Sequence, residues 1–220
     1  MPKILYKFPS RERPHKVIKA LENIITLSKH QDYCILLTLD IDDISTNNRQ
    51  FNNKLKEFGN KVMPVYGFSK NKVNAVNRDI WMVNDFDILC LHSDDMVFIK
   101  DGFDLDILEA FDNYNGLVHF PDQVAKENLI TYSMMSREYY DIYSYIYNPE
   151  FMSVYCDNYQ QDVAKKLKMY KFVNKEILRH EHFCWGYGEK DSLLTKTENP
   201  ENYNVDNITY QRLLKEYPFV

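Results

Sequence analysis

The sequence predicts an α/β protein, with a mostly parallel central sheet flanked by helices in a single domain. Three observations predict it. Through roughly the first hundred residues, apolar runs of strand length alternate with stretches whose apolar residues recur at helical spacing. The runs Tyr33–Leu39 and Ile88–Leu91 are apolar almost throughout and bounded by acidic or polar residues, as in parallel strands buried on both faces. The chain of 220 residues has no repeat, low-complexity tract or linker rich in Pro and Gly, so one domain with a substantial core is expected over residues 1–220.

The elements follow in order. Lys3–Phe8 reads as a strand ending at Pro9-Ser10, and Pro14–Ser28 as a helix with Val17, Leu21, Ile24 and Ile25 on one face. Tyr33–Leu39 is the second strand, followed by a polar segment, Asp40–Asn53. Val62–Tyr66 is the third, stopping before Gly67. Ser69 is placed to cap a helix running to about Asn84, with Val73, Val76, Ile80 and Val83 inward. Ile88–Leu91 is the fourth strand. Beyond Asp95 the pattern turns irregular. Gly116–Phe120 and Leu129–Met135 read as strands, Ser136–Tyr147 as helix or loop, and Asp157–Met169 as a helix capped by Asp157. Tyr170–Asn174 and Glu176–Phe183 read as two more strands, and Asp206–Glu216 as the last helix.

Composition narrows the function. A net charge of −5 and a pI near 5.7 argue against nucleic acid as the main partner, while leaving room for a local basic patch. No stretch approaches the roughly 18 consecutive apolar residues of a membrane span. The N-terminus enters a strand at once, so no signal peptide is expected. Cys34, Cys90, Cys156 and Cys184 are scattered without a C-x-x-C pair. They read as reduced core thiols of a cytosolic protein, not as a disulfide frame or zinc site.

Four predicted strand ends carry chemistry. Ile88–Leu91 breaks off into His92-Ser93-Asp94-Asp95 at the C-terminal edge, where open α/β sheets bind ligands. Hard oxygen ligands there suit Mg²⁺ or Mn²⁺, and such an ion suits a diphosphate; taken alone, a polar turn explains the pair equally well. The first strand delivers Ser10, Arg11 and Arg13 just ahead of a helix N-terminus, a corner that attracts phosphate. The second delivers Asp40 and Asp42, where a carboxylate accepts from a nucleoside's ribose or base. After the third, Lys72 falls in the first helical turn, near any diphosphate, with Asn74 and Asn77 toward a sugar or nucleotide. Late in the chain, His180 and His182 share one face of a strand, offering imidazoles to Mn²⁺ beside the carboxylates.

In this order the motifs resemble the GT-A glycosyltransferases, specifically the inverting family-2-like group and its small phage and bacterial members. The likeness is strongest from Lys3 to about Phe98. The resemblance implies a nucleotide-sugar donor, UDP-linked by family habit, bound by residues 1–98, with the acceptor bound by 99–220. It implies Mn²⁺ or Mg²⁺ at the acidic motif. Where the family writes Asp-x-Asp, His92 takes the first position, Ser93 the middle and Asp94 the metal-binding second, with Asp95 adjoining and His182 or His180 completing the site. Lys72 maps to the basic residue near the diphosphate, Asp40 or Asp42 to the uridine contact, and Asp157 to the general base, with Glu150 and Asp162 in reserve. The implied acceptor is a glycan or another hydroxyl, a modified DNA base included, and the implied location is the cytoplasm, a host's if the chain is viral. Two alternatives stand beside this: a non-catalytic nucleotide- or glycan-binding module, and a sugar-1-phosphate nucleotidyltransferase. The glycine-free loop Phe8–Pro14 counts against the second.

Overall fold

The computed structural model describes residues 2–187 and 190–216. Strands β1 (Ile4–Ser10), β2 (Tyr33–Asp40), β3 (Val62–Gly67) and β4 (Ile88–Leu91) form the parallel part of a seven-stranded sheet. The sheet continues through β7 (Met134–Ser136), β6 (Leu117–His119) and β8 (Tyr170–Phe172), giving the order β3-β2-β1-β4-β7-β6-β8. β7 runs antiparallel to both β4 and β6, while β6 and β8 are parallel. A separate antiparallel ribbon pairs β5 (Met96–Phe98) with β9 (Leu178–His180).

Alternation along the strands divides the core in two. Ile4, Tyr6 and Phe8 of β1 face one side, packed with Val17, Leu21 and Ile24 of α1 (Pro14–Leu27), Phe51 and Leu55 of α2 (Arg49–Lys56), and Phe103 and Ile107 of α4 (Phe103–Phe111). Leu5, Leu36 and Leu89 face the other, against Val73 and Val76 of α3 (Lys72–Asn77), Tyr139 of α5 (Arg137–Tyr143), Tyr159 and Val163 of α6 (Cys156–Lys166), and Leu213 of α8 (Pro200–Glu216). A short helix, α7 (Ser192–Thr197), precedes α8. At 25 cal/mol per Å², burying one such side chain contributes about 1.5–3 kcal/mol.

The first four strands and α1 lie where the sequence placed them. Several elements do not. The helix after Gly67 is capped by Asn71, whose side chain accepts from the Asn74 amide, and it stops at Asn77 instead of running to Asn84. Arg78 is extended and Asp79 left-handed (φ 71°), because the Arg78 guanidinium turns inward to the Leu39 carbonyl, Ser69 and Asp79. Gly67 makes room for it: a Cβ there would collide with the guanidinium. The segment 40–53 holds the start of α2, and β5 and α4 occupy the stretch past Asp95 that showed no pattern. The strand expected over Leu129–Met135 is confined to Met134–Ser136. Tyr155, left-handed at φ 58°, is the N-cap of α6 in place of Asp157, which sits in the first turn. The last helix begins at Pro200, not Asp206. Cys184, expected in the core, is exposed; Cys90 and Cys156 are buried, and all four cysteines are free thiols. No helix of the described residues is long and apolar enough to cross a membrane.

Candidate active site

The C-terminal ends of β1, β2 and β4 open onto a cleft of about 700 Å³, also bounded by the start of α6 and by residues of 180–185 and 193–203. It is lined by Ser10, Arg11, Arg13, Asp40, Asp42, Lys72, Ser93, Asp94, Asp95, Asp157, His180 and His182. Two expected residues stay outside the lining. Asn77 is consumed in joining α3 to the segment ahead of α6, donating to the Tyr147 carbonyl (2.6 Å) and accepting from the Ile146 and Tyr147 amides. Asn74 accepts from the Lys70 amide at 3.1 Å and so shapes the turn before α3. Glu150 is ion-paired with Arg212, and Asp162 accepts from the Tyr210 hydroxyl (2.5 Å); neither reaches the cleft.

The arginines at this edge are already spoken for. Arg11 donates to Asp40 (2.9 Å) and to both oxygens of Asp42 (2.7 and 3.0 Å). Arg13 donates to Asp94 (2.8 Å) and, through two nitrogens, to both oxygens of Asp191 (2.7 and 2.9 Å), a fork-to-fork geometry that holds α7 against the first strand. The remaining cations are Lys70 and Lys72, both open to the cleft. Lys72 stands deep in it, ringed by protein yet reachable by solvent. That crowding works against its charge, but Cys156, Glu198, Asp157 and Asp95 nearby more than compensate, raising its pKa above the ordinary value.

Asp94 and Asp95 face different partners. Both Asp94 oxygens are engaged, one by the Ser10 hydroxyl (2.5 Å) and one by Arg13, and its side chain is only 5% exposed. Asp95 accepts from Ser93, and its other oxygen lies 3.7 Å from His180 Nε2. The ribbon makes that meeting: His180 pairs with Met96, and the Glu181 amide donates to the Asp95 carbonyl at 2.7 Å. Burial would raise the Asp95 carboxyl, but the facing His180, Ser93 and His182 hold it well below the usual carboxylate range. His180 Nδ1 in turn sits 3.8 Å from Asp122, a buried carboxylate that also accepts from Thr131. His92, in the first position of the acidic motif, is fully buried, bonded to Tyr132 (3.1 Å) and stacked on Phe98; burial pushes its pKa down to about 3, so it is a neutral core residue.

Asp157 faces the same space from α6. One oxygen accepts from the Asn158 amide at 2.9 Å. Burial raises its carboxyl above the ordinary range, and Lys72 and His180 offset part of that shift. The loop ahead of it is pinned from the far end of the chain: Asp206 of α8, wholly buried, accepts from the amides of Met152, Ser153 and Val154, each at 2.8 Å.

Sequence reasoning missed Arg78, Asp122, Asp191, Glu198 and Asp206. Asp191 and Glu198 lie in a stretch without periodicity, Asp122 in a loop, and Arg78 and Asp206 on segments that read as ordinary solvated helix face. A signal existed only for Asp122, an acid three residues past the strand at 117–119.

No family model matches the chain, and no curated protein matches it. Solved structures do. A mannosyltransferase from Pyrobaculum calidifontis, in complex with GDP-Man and Mn²⁺, superposes with a TM-score of 0.65 at 8% identity, over 99% of this chain and 76% of that one. S. aureus TarS 1-349, in complex with UDP-GlcNAc, superposes with a TM-score of 0.69 at 10% identity, over 92% of this chain and 64% of that one, so this chain spans less than two thirds of that fragment. A 4-diphosphocytidyl-2C-methyl-D-erythritol synthase from Anaerococcus prevotii gives 0.56 at 10% identity, over 94% and 96%. The chain therefore has the GT-A fold, the sheet-and-helix architecture of the nucleotide-diphospho-sugar transferases.

Proposed function

We propose that the protein is a glycosyltransferase that moves a sugar from a nucleotide diphosphate, UDP first among them, to an acceptor hydroxyl with inversion. The observation that carries the reading is that Asp157 and Lys72 line one cleft with the acidic end of β4, the Lys72 charge near enough to act on the Asp157 carboxyl. Inverting transfer needs one carboxylate placed to take the acceptor proton as the hydroxyl attacks, and a cation near the leaving diphosphate. Asp40, Asp42 and Ser69 line the end of the cleft suited to ribose and base, and Lys70 and Lys72 the part suited to phosphate. Asp157, its carboxyl raised by burial, serves as the base.

The residues fit a divalent ion. Asp95 Oδ2 and His180 Nε2 are 3.7 Å apart, too far for a hydrogen bond, and bring a carboxylate oxygen and an imidazole nitrogen to one part of the cleft, a donor pair that suits such an ion. Asp95 and His180 would hold Mn²⁺ or Mg²⁺. Asp94, bound on both oxygens, would fix the loop that presents Asp95. When bound, the ion supplies positive charge beside the leaving diphosphate. The exposed rings of Trp185 and Tyr203 line the acceptor side, surfaces on which sugar faces stack.

The test is donor hydrolysis. Incubated with UDP-, GDP-, CDP- and dTDP-sugars plus Mn²⁺, the protein is expected to release one nucleoside diphosphate slowly without acceptor. Nucleotide binding without release from any donor would favour a non-catalytic binding module, and release of pyrophosphate from a nucleoside triphosphate and a sugar phosphate would favour nucleotidyl transfer. The last shares the fold through the cytidylyl enzyme, but the β1 exit loop lacks glycine to cradle a triphosphate.

A further inference from the structure

We propose that His182, Cys184 and Glu198 form a second cation site, adjoining Asp95 and His180, that selects a borderline-soft divalent ion of the zinc class. One ligand atom from each side chain lies within 4.8 Å of the other two, and no other group of three His, Cys, Asp or Glu side chains among the described residues comes as close. The two histidines stand side by side, ring centroids 5.1 Å apart, but meet different acids. His180 faces Asp95 and Asp122, whereas His182 Nε2 lies 3.2 Å from Glu198 Oε1. The local fold presents the donors. His182 is the N-cap of the single 3-10 turn Phe183–Trp185, its Nδ1 accepting from the Cys184 amide at 3.3 Å, and left-handed Gly186 (φ 84°) ends the turn. The H-x-C pair thus sits on a tight bend, and Glu198 meets it from the C-terminus of α7.

The donor set decides the metal. A thiolate, an imidazole and a carboxylate are three ligands of a tetrahedral zinc site, and sulfur disfavours Mg²⁺ and Ca²⁺. All three residues line the cleft, so a fourth position is open to an oxygen of a bound ligand. The imidazole and Glu198 carboxyl are only slightly exposed (14% and 13%), which dries one side of the site, while exposed Cys184 gives the ion a path in. On binding, Cys184 releases its thiol proton to solvent. The proton shared between His182 Nε2 and Glu198 moves to Nδ1, and the bond from the Cys184 amide is given up.

The experiment is a Co²⁺ titration of the full chain after chelation, followed by absorption. One equivalent is expected to produce a thiolate-to-cobalt charge-transfer band and intense tetrahedral d–d bands, displaced by Zn²⁺. In Cys184→Ser the charge-transfer band is lost, and in Glu198→Gln the d–d bands shift. Alkylation of Cys184 by iodoacetamide, read by peptide mass spectrometry, slows about tenfold at a Zn²⁺ concentration about ten times Kd. Absence of the charge-transfer band, its persistence in Cys184→Ser, or alkylation indifferent to Zn²⁺ would each overturn the site. Neither readout uses donor or acceptor, so loss of the glycosyl-transfer reading would leave this result standing, and the reverse holds too.

Discussion

Asp157 carries the sharpest prediction at the scale of single residues. Its folded-state pKa is raised by burial, so the native state binds this proton more tightly than the unfolded chain does. Its effect on stability therefore turns unfavourable as pH climbs above the ordinary carboxylate range and levels off above the folded pKa. Asp157→Asn removes that charge and is expected to leave the melting temperature unchanged or higher at neutral pH, while cutting turnover by roughly 10²–10⁴. For the unmodified protein, kcat/KM should fall on the acid side through a limb above the ordinary carboxylate range, because the base must be ionised. Initial rates across pH and calorimetry on both proteins check this; an Asn variant with normal turnover removes Asp157 from the mechanism. Asp94, Asp95 and Lys72 were legible because each follows soon after a strand end and so reaches the cleft, although Asp in that place serves a plain polar turn equally well. His92 was not: only the packing of Phe98 and Tyr132 around it shows that an imidazole in an acidic motif has become core.

At the scale of elements, the α6 side of the cleft depends on a helix remote in sequence. Asp206 of α8 holds three consecutive amides ahead of α6, and that grip fixes the left-handed Tyr155 from which α6, and with it Asp157, is launched. Asp206→Ala leaves three amide donors, two of them buried, without a partner. A loss of about 3 kcal/mol or more is expected, since each hydrogen bond to a charged group is worth about 1.5–3 kcal/mol. Urea denaturation with an unchanged m-value reads it, and a loss under about 1 kcal/mol would show the three bonds to be replaceable by water. Long buried strands announced themselves through unbroken apolar runs. The three-residue strands are too short to show a period of two: β6, β7, β8 and β9 were read only as parts of longer apolar runs, and β5 not at all. The helix after Gly67 was overextended because Val73, Val76 and Ile80 keep helical spacing through the break that Arg78 imposes.

At the scale of the whole molecule, net charge misleads about the site. The chain is acidic overall, and Arg11 and Arg13 are neutralised by Asp40, Asp42, Asp94 and Asp191, yet the cleft retains the charge of Lys70 and Lys72 where a diphosphate would lie. Binding to the native state alone stabilises by about 2.7 kcal/mol at a ligand concentration 100 times Kd. For a chain of this size that is about 5–10 °C in melting temperature. UDP with Mn²⁺ is therefore expected to raise the melting temperature by several degrees and uridine by far less, the difference measuring what the phosphates gain. Lys72→Ala should collapse that difference while sparing the uridine shift, because the ribose end around Asp40 and Ser69 lies on other elements. Equal shifts for UDP and uridine in the unmodified protein would mean that the phosphates lie outside the reach of Lys72. The diphosphate would then have to point away from the acidic end of β4, and Asp157 would have no leaving group to work against.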